Sequence, residues 1–318
     1  MILLLQLLGG FVLLLAGGEA LVRGAVAIAR RLGVSPFVIG LTLVAFGTSM
    51  PELVTSIEAA LAGAPGIAVG NIVGSNIANV LLIVGVAALL RPLVCDPRGF
   101  YRDGSVLAGA TLLCVPIALL GGADRPIGIG LVVLLLVYTV ATYMLDKRGD
   151  DPAAAVHSGE ADVVGPGPRS LAVALLMAVG GIAVTVLGAR LLVAGAVEIA
   201  REFGVSEAVV GLTIVAVGTS LPELTTAIVA SLRGQSDVAL GNVIGSNIFN
   251  ILGILGVTAI VTPLAVPDEI VSFDLGVMVG VTAVLIFVAV SGWRVTRSEG
   301  LLLLAGYATY IGWLAAGV

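Results

Sequence analysis

Charge, histidine, cysteine and aromatic side chains are all scarce in this chain. Only 11% of its 318 residues are charged, 5% are aromatic, and it has two cysteines and one histidine. A soluble domain carries about 25% charged residues, so water cannot be the solvent for most of this exterior and lipid must be. Two thiols are too few for a disulfide framework; Cys95 falls in a short polar connection and Cys114 in an apolar run. The lone histidine, His157, lies in a polar segment. A His-Glu-x-x-His zinc protease is thereby excluded, as is a serine protease with an intramembrane histidine base. Asp103, Asp268 and Asp274 fall near predicted helix ends, which argues against a paired-aspartate protease. No P-loop occurs, so ATP-driven pumping has no support, and the mild formal charge of -5 points to no nucleic-acid partner. No enzyme activity or cofactor is expected. No Lys or Arg precedes the apolar run from Ile2 to Leu15; without that positive flank it reads as a retained span and not a signal peptide.

What the chain does have is apolar length. Hydrophobic residues make up 59% of it, and its mean hydropathy is +1.17. Runs long enough to cross a bilayer, about 20 residues each, are predicted near 2–30, 36–62, 66–90, 103–121 and 126–145, then near 170–201, 207–232, 237–261, 270–291 and 299–317. The expected fold is an all-α polytopic membrane protein of ten transmembrane helices, in units 1–145 and 170–318. Between them, 146–169 is rich in Pro, Gly and charge and reads as a linker.

The two units repeat one another. An offset of 171 aligns Gly33-Val34-Ser35 with Gly204-Val205-Ser206, and Gly47-Thr48-Ser49-Met50-Pro51-Glu52 with Gly218-Thr219-Ser220-Leu221-Pro222-Glu223. It also aligns Gly70-Asn71 and Gly74-Ser75-Asn76-Ile77 with Gly241-Asn242 and Gly245-Ser246-Asn247-Ile248, without a gap. The two motifs cover about 33–85 and 204–256. Lys and Arg concentrate on cytoplasmic connections. With the N-terminus outside, the inside ends carry Arg30, Arg31, Arg91, Arg98, Arg102, Lys147, Arg148, Arg169, Arg233, Arg294 and Arg297, and the outside ends only Arg125 and Arg201. Five spans per unit is an odd number, so the second unit enters the membrane inverted, as in many secondary transporters. Both termini are then expected outside, the linker in the cytoplasm, and the chain in a plasma (inner) membrane.

Intramembrane carboxylates are costly and tend to be functional. Glu52 and Glu223 occupy equivalent positions, each directly after a proline in an apolar helical pattern. Pro51 and Pro222 lack an amide hydrogen, so the carbonyls of Gly47 and Gly218 lose their helical donors. Two helices broken at these points are expected, with Thr48 and Ser49, or Thr219 and Ser220, one turn before the carboxylate. On the next helix Asn71, Ser75 and Asn79 share a face at i, i+4 and i+8, as do Asn242, Ser246 and Asn250, while Asn76 and Asn247 lie off that stripe and suit contacts to neighbouring helices. Gly70, Gly74, Gly241 and Gly245 allow close backbone approach. All these ligands are oxygen, which suits a hard cation such as Ca²⁺, or Na⁺. Two glutamates balance one Ca²⁺ or two Na⁺. A single such glutamate paired with a mid-helix Arg190 would be the bland alternative; Glu58, Glu198 and Arg190 have no counterpart of their own type in the other unit and read as structural.

At these residues the chain resembles the sodium/calcium exchangers of the cation/calcium exchanger superfamily. The paired Gly-Thr-Ser-x-Pro-Glu and Gly-Ser-Asn-Ile-x-Asn motifs carry the likeness, over roughly 17–90 and 188–261. The resemblance implies that helices two, three, seven and eight frame the ions. It implies that Glu52 and Glu223 bind both Ca²⁺ and Na⁺, with Thr48, Ser49, Ser75, Asn79, Thr219, Ser220, Ser246 and Asn250, and that long first and sixth helices slide across this core. One departure is Asn250, a position often occupied by Asp in similar exchangers. The linker is also too short for the large calcium-sensing domains of animal exchangers, so a compact prokaryotic-type member is expected. The expected function is Na⁺/Ca²⁺ antiport. The alternatives are a potassium-dependent or proton-coupled exchanger on the same fold, and a membrane scaffold that binds no cation; beyond the ions and lipid, no protein partner is expected.

Overall fold

The computed structural model describes residues 2–35, 38–146 and 167–317. The expected linker therefore lies largely outside the described residues, as does His157. Helix α1 is Ile2–Arg31. Helices α2 (39–48) and α3 (Met50–Leu61) meet at Ser49. They are followed by α4 (Pro65–Leu90), α5 (Pro97–Leu119) and α6 (Arg125–Asp146). The second half runs through α7 (Leu171–Phe203), α8 (Glu207–Thr219), α9 (Leu221–Arg233), α10 (Ser236–Val261), α11 (Ile270–Gly292) and α12 (Arg297–Ala316). Among the described residues, eight helices are long and apolar enough to cross a membrane, or nine if α8 and α9, bent by 44° at Ser220, count as one span.

The span expected to begin at 103 begins at Pro97 instead. Asp96 caps it by accepting a 2.8 Å hydrogen bond from the Gly99 amide, and Pro97 supplies the fixed φ of a first helical residue. Charged Arg98, Arg102 and Asp103 hid this first turn from a hydropathy reading.

Two short antiparallel ladders tie the halves together. Strand β1 (Leu93–Val94) pairs with β4 (Arg294–Val295), with Leu93 opposite Val295; β2 (Gly122–Ala123) pairs with β3 (Leu264–Ala265), with Ala123 opposite Leu264. Each ladder joins a loop of one half to a loop of the other. The first lies at the arginine-rich end, beside Arg91 and Arg297.

Two of the four helices at the centre are buried almost throughout. In the most apolar windows of α4 and α10, 83% of residues are buried, against 39% or less for the other six spans. Gly70 and Gly74 explain part of this: a Cβ on Gly70 would lie 2.7 Å from the Ala208 carbonyl, and one on Gly74 2.6 Å from that of Leu212. Gly245 differs from the expectation of close packing, since open space surrounds its α-carbon.

Helices α1 and α7 cross this core as an antiparallel pair. Their seam is built on glycines seven residues apart, Gly10 and Gly17 in α1 and Gly181 and Gly188 in α7. A Cβ on any of them would stand 2.5–2.7 Å from a backbone nitrogen of the partner helix. Small residues let helix backbones approach within the bilayer, where dispersion and not water expulsion drives association. The offset of 171 relates Gly10 to Gly181 and Gly17 to Gly188, so the seam itself is duplicated.

The outer helices are clamped by polar pairs. The Tyr138 hydroxyl of α6 donates to Asp103 of α5 at 3.0 Å, and Tyr310 of α12 donates to Asp274 of α11 at 2.8 Å. Asp103 and Asp274 stand 171 apart. Near helix ends as expected, each is engaged by a phenol.

Candidate ion site

The site forms where the two helix breaks meet. Ser49 and Ser220 hold non-helical ψ angles of 10° and 8°, and each begins a new helix whose second residue is proline. Proline fits that first turn because the amide it lacks would be unpaired there anyway. The glycines before the breaks serve packing: a Cβ on Gly47 would lie 2.3 Å from Val22 Cγ2, and one on Gly218 1.6 Å from Phe11 Cε1. Both glycines therefore let α1 lie directly over the breaks.

Hydrogen bonds cross between the halves. Ser49 Oγ donates to Glu223 Oε1 at 2.8 Å, and Ser220 Oγ donates to Glu52 Oε1 at 3.0 Å. Thr48 stands beside the Glu223 carboxylate, and Thr219 beside that of Glu52. Thr219 further donates to Asn71 Oδ1 at 3.0 Å, and Asn71 Nδ2 donates to the Glu52 carbonyl at 3.2 Å and to Ser56 Oγ at 2.9 Å. Both glutamates are 1% exposed. Each has one oxygen fixed by the opposite half, while Oε2 of each has no hydrogen-bond partner among the described residues.

The neighbouring helices add further oxygens. Helix α4 packs against 216–219 and α10 against 45–48, which brings Ser75, Asn79, Ser246 and Asn250 beside the breaks. All four are buried. The hydroxyls of Ser75 and Ser246, Oδ1 of Asn79 and both polar side-chain atoms of Asn250 have no hydrogen-bond partner among the described residues. Asn79 Nδ2 donates to Asn247 Oδ1 at 2.9 Å, and Asn247 Nδ2 donates to the Asn76 carbonyl at 3.3 Å. Asn247, off the polar stripe, thus braces the two halves and leaves the Asn79 oxygen free. Stretches with i→i+5 hydrogen bonding begin at Asn79 and surround Asn250, over Asn79–Ile83 and Phe249–Leu255. Such widened turns are frequent at functional sites, and no residue pattern announced them.

Leaving a buried carboxylate oxygen and several hydroxyl or amide oxygens unpaired costs of the order of 1–3 kcal/mol per group, and more for charges. Carboxylate, hydroxyl and amide oxygens are the ligand types that hard cations take. Arg190 is not the counter-ion of these glutamates: its Nε stands 3.2 Å from both carboxylate oxygens of Glu58.

A cavity of about 450 Å³ reaches as far as Thr48 and Pro51 beside this site. It is lined by Glu19, Arg23, Thr48, Pro51, Thr226 and Arg233 among others, between α1 and α9. On the opposite side α7 packs along α3, and Thr55, the counterpart of Thr226, is fully buried.

The sequence model described as Sodium/calcium exchanger protein matches residues 2–144 and again 173–316. The chain belongs to the sodium/calcium exchanger family. Among relatives, the putative antiporter CaxA of Alkalimonas amylolytica is 40% identical, over 95% of each chain. The sodium/calcium exchanger MaX1 of Methanosarcina acetivorans is 37% identical, over 96% of this chain and 97% of its own. A solved structure of the sodium-calcium exchanger NCX_Mj, soaked with Na⁺ and Sr²⁺, superposes with a TM-score of 0.66 at 33% identity, covering 98% of each chain.

Proposed function

We propose that the chain is a secondary antiporter that exchanges Na⁺ for Ca²⁺ by alternating access, both ions competing for the site between Glu52 and Glu223. The observation that carries this reading is the crossed pair of serine–glutamate hydrogen bonds with the second oxygen of each carboxylate left unpaired. The ligands are Glu52, Glu223, Thr48, Ser49, Ser75, Asn79, Thr219, Ser220, Ser246 and Asn250, with backbone oxygen from the Gly47–Pro51 and Gly218–Pro222 breaks. Two carboxylates balance one Ca²⁺ or two Na⁺, so either load offsets the cost of burying them and the unloaded site is penalised. That penalty couples the two fluxes: the protein switches sides far more readily loaded than empty.

In this reading α2 with α3, and α8 with α9, are the second and seventh spans of ten, in two inverted units of five. The arginine-rich end, with Arg91, Arg233 and Arg297, faces the cytoplasm of a plasma (inner) membrane, and both termini lie outside. The names of the relatives, exchangers and antiporters, support antiport over a scaffold role.

The test is Ca²⁺ uptake into proteoliposomes under imposed gradients of Na⁺, K⁺ or H⁺ in turn. Uptake driven by Na⁺ alone is expected. Uptake that requires K⁺, or is driven by H⁺, would move the chain to a potassium-dependent or proton-coupled exchanger. Uptake under none of the gradients would leave the family and remove the substrate assignment.

A further inference from the structure

Arg190 is a charged side chain well inside the 33-residue helix α7, where an ionisable group is costly unless it has a task. Its partner, Glu58, is on α3. Helix α3 leads from the ion site towards the side opposite the cavity, since the cavity follows α9 from Pro222 to Arg233. The ion pair therefore joins α7 to the core on the side away from the cavity.

The offset of 171 maps Arg190 onto Glu19 and Glu58 onto Val229. Both counterparts line the cavity. Glu19 now pairs with Arg23 on its own helix. One turn beyond Val229 on the same face of α9 stands Arg233, also in the cavity wall. If α1 closes onto α9 as α7 lies on α3, Glu19 arrives at Val229 and within reach of Arg233. The polarity is reversed between the two sides: arginine on the crossing helix and glutamate on the core at one, glutamate on the crossing helix and arginine on the core at the other. Because the glycine seam packs α1 directly on α7, a shift of α1 onto α9 would carry α7 with it and part Arg190 from Glu58.

We propose that Arg190–Glu58 and Glu19–Arg233 are alternating latches that set which side of the membrane the ion site faces. Arg190 and Glu58 are positioning residues: they touch no ion and hold the side away from the cavity shut. Glu19 exchanges Arg23 for Arg233 when the cavity closes. The proposal rests on the antiport reading for its purpose, but its geometry and test do not require transport.

The test is modification of cysteines introduced one at a time at Thr55 and Thr226 by a water-soluble maleimide, in the purified full chain in lipid nanodiscs, against the background of the buried Cys95 and Cys114. In the parent, Thr226→Cys is expected to react and Thr55→Cys to be protected. Glu58→Gln and Arg190→Gln, each tested separately, are expected to raise Thr55→Cys reactivity about fivefold and to lower that of Thr226→Cys, the population change that loss of one partly screened ion pair produces. The exchanged pair Glu58→Arg with Arg190→Glu is expected to restore the parent pattern. Unchanged reactivity in both single variants would overturn the proposal, as would an exchanged pair that behaves like the singles. Labelling uses no ion gradient, so it stands or falls separately from Na⁺-driven uptake.

Discussion

Ser49 of the first half donates a 2.8 Å hydrogen bond to Glu223 of the second. The reciprocal bond, Ser220 to Glu52, is 3.0 Å. Each glutamate is held partly by a serine of the opposite half, so the packing of the two halves shapes both carboxylates. Hydrogen bonds to charged groups contribute about 1.5–3 kcal/mol, so Ser49→Ala and Ser220→Ala should each weaken apparent Ca²⁺ affinity by about 10- to 100-fold. The two effects should be of similar size because the contacts are equivalent. Ca²⁺ dependence of uptake measures both.

Neutralising either carboxylate should be more severe. Glu52→Gln and Glu223→Gln keep the shape but leave one negative charge for a divalent ion, at a cost of about 3–5 kcal/mol for a buried charge without its partner. Exchange should fall by more than about 100-fold in each variant, while the purified proteins remain folded by circular dichroism.

The glycine seam predicts a loss of movement. Gly17→Val places a side chain where a Cβ would already stand 2.5 Å from the Thr185 amide. Overpacking of this kind costs about 1–3 kcal/mol, so thermal stability in detergent should fall by that amount. Exchange should fall further than stability does, because the pair can no longer lie flush as it moves. Gly9→Val, with open space around Gly9, should change neither.

Cys95 should be inert. It is 5% exposed, and burial, helped by the Asp96 carboxylate, pushes its thiol up to about 12. A raised thiol pKa means the protonated, unreactive form persists through neutral and mildly alkaline pH. Maleimide labelling of the unmodified protein at pH 7–8 should be negligible, and rapid labelling there would contradict its placement.

The pairing of halves, the proline-flanked glutamates and the polar stripes were legible in the sequence because each is a local pattern repeated at one offset. What crosses between the halves was not. Nothing at Asn247 distinguishes a brace from a ligand; only the meeting of α4 and α10 turns it towards Asn79. Asp103 read as a helix-end charge until α6 brought the Tyr138 hydroxyl to it. Glu58 and Arg190 lie 132 positions apart, and their pairing depends on how α7 crosses the core. The first turn of α5 was missed for a simpler reason: its charges lie on a helix that begins outside the apolar stretch.

The most direct test of a single shared site is equilibrium binding of radiolabelled Ca²⁺ to the purified protein across a Na⁺ titration, with Glu52→Gln and Glu223→Gln alongside. The account predicts that Na⁺ displaces Ca²⁺ competitively and that each variant alone abolishes the displaceable binding. Ca²⁺ binding that is indifferent to Na⁺, or that survives in either variant, would contradict it.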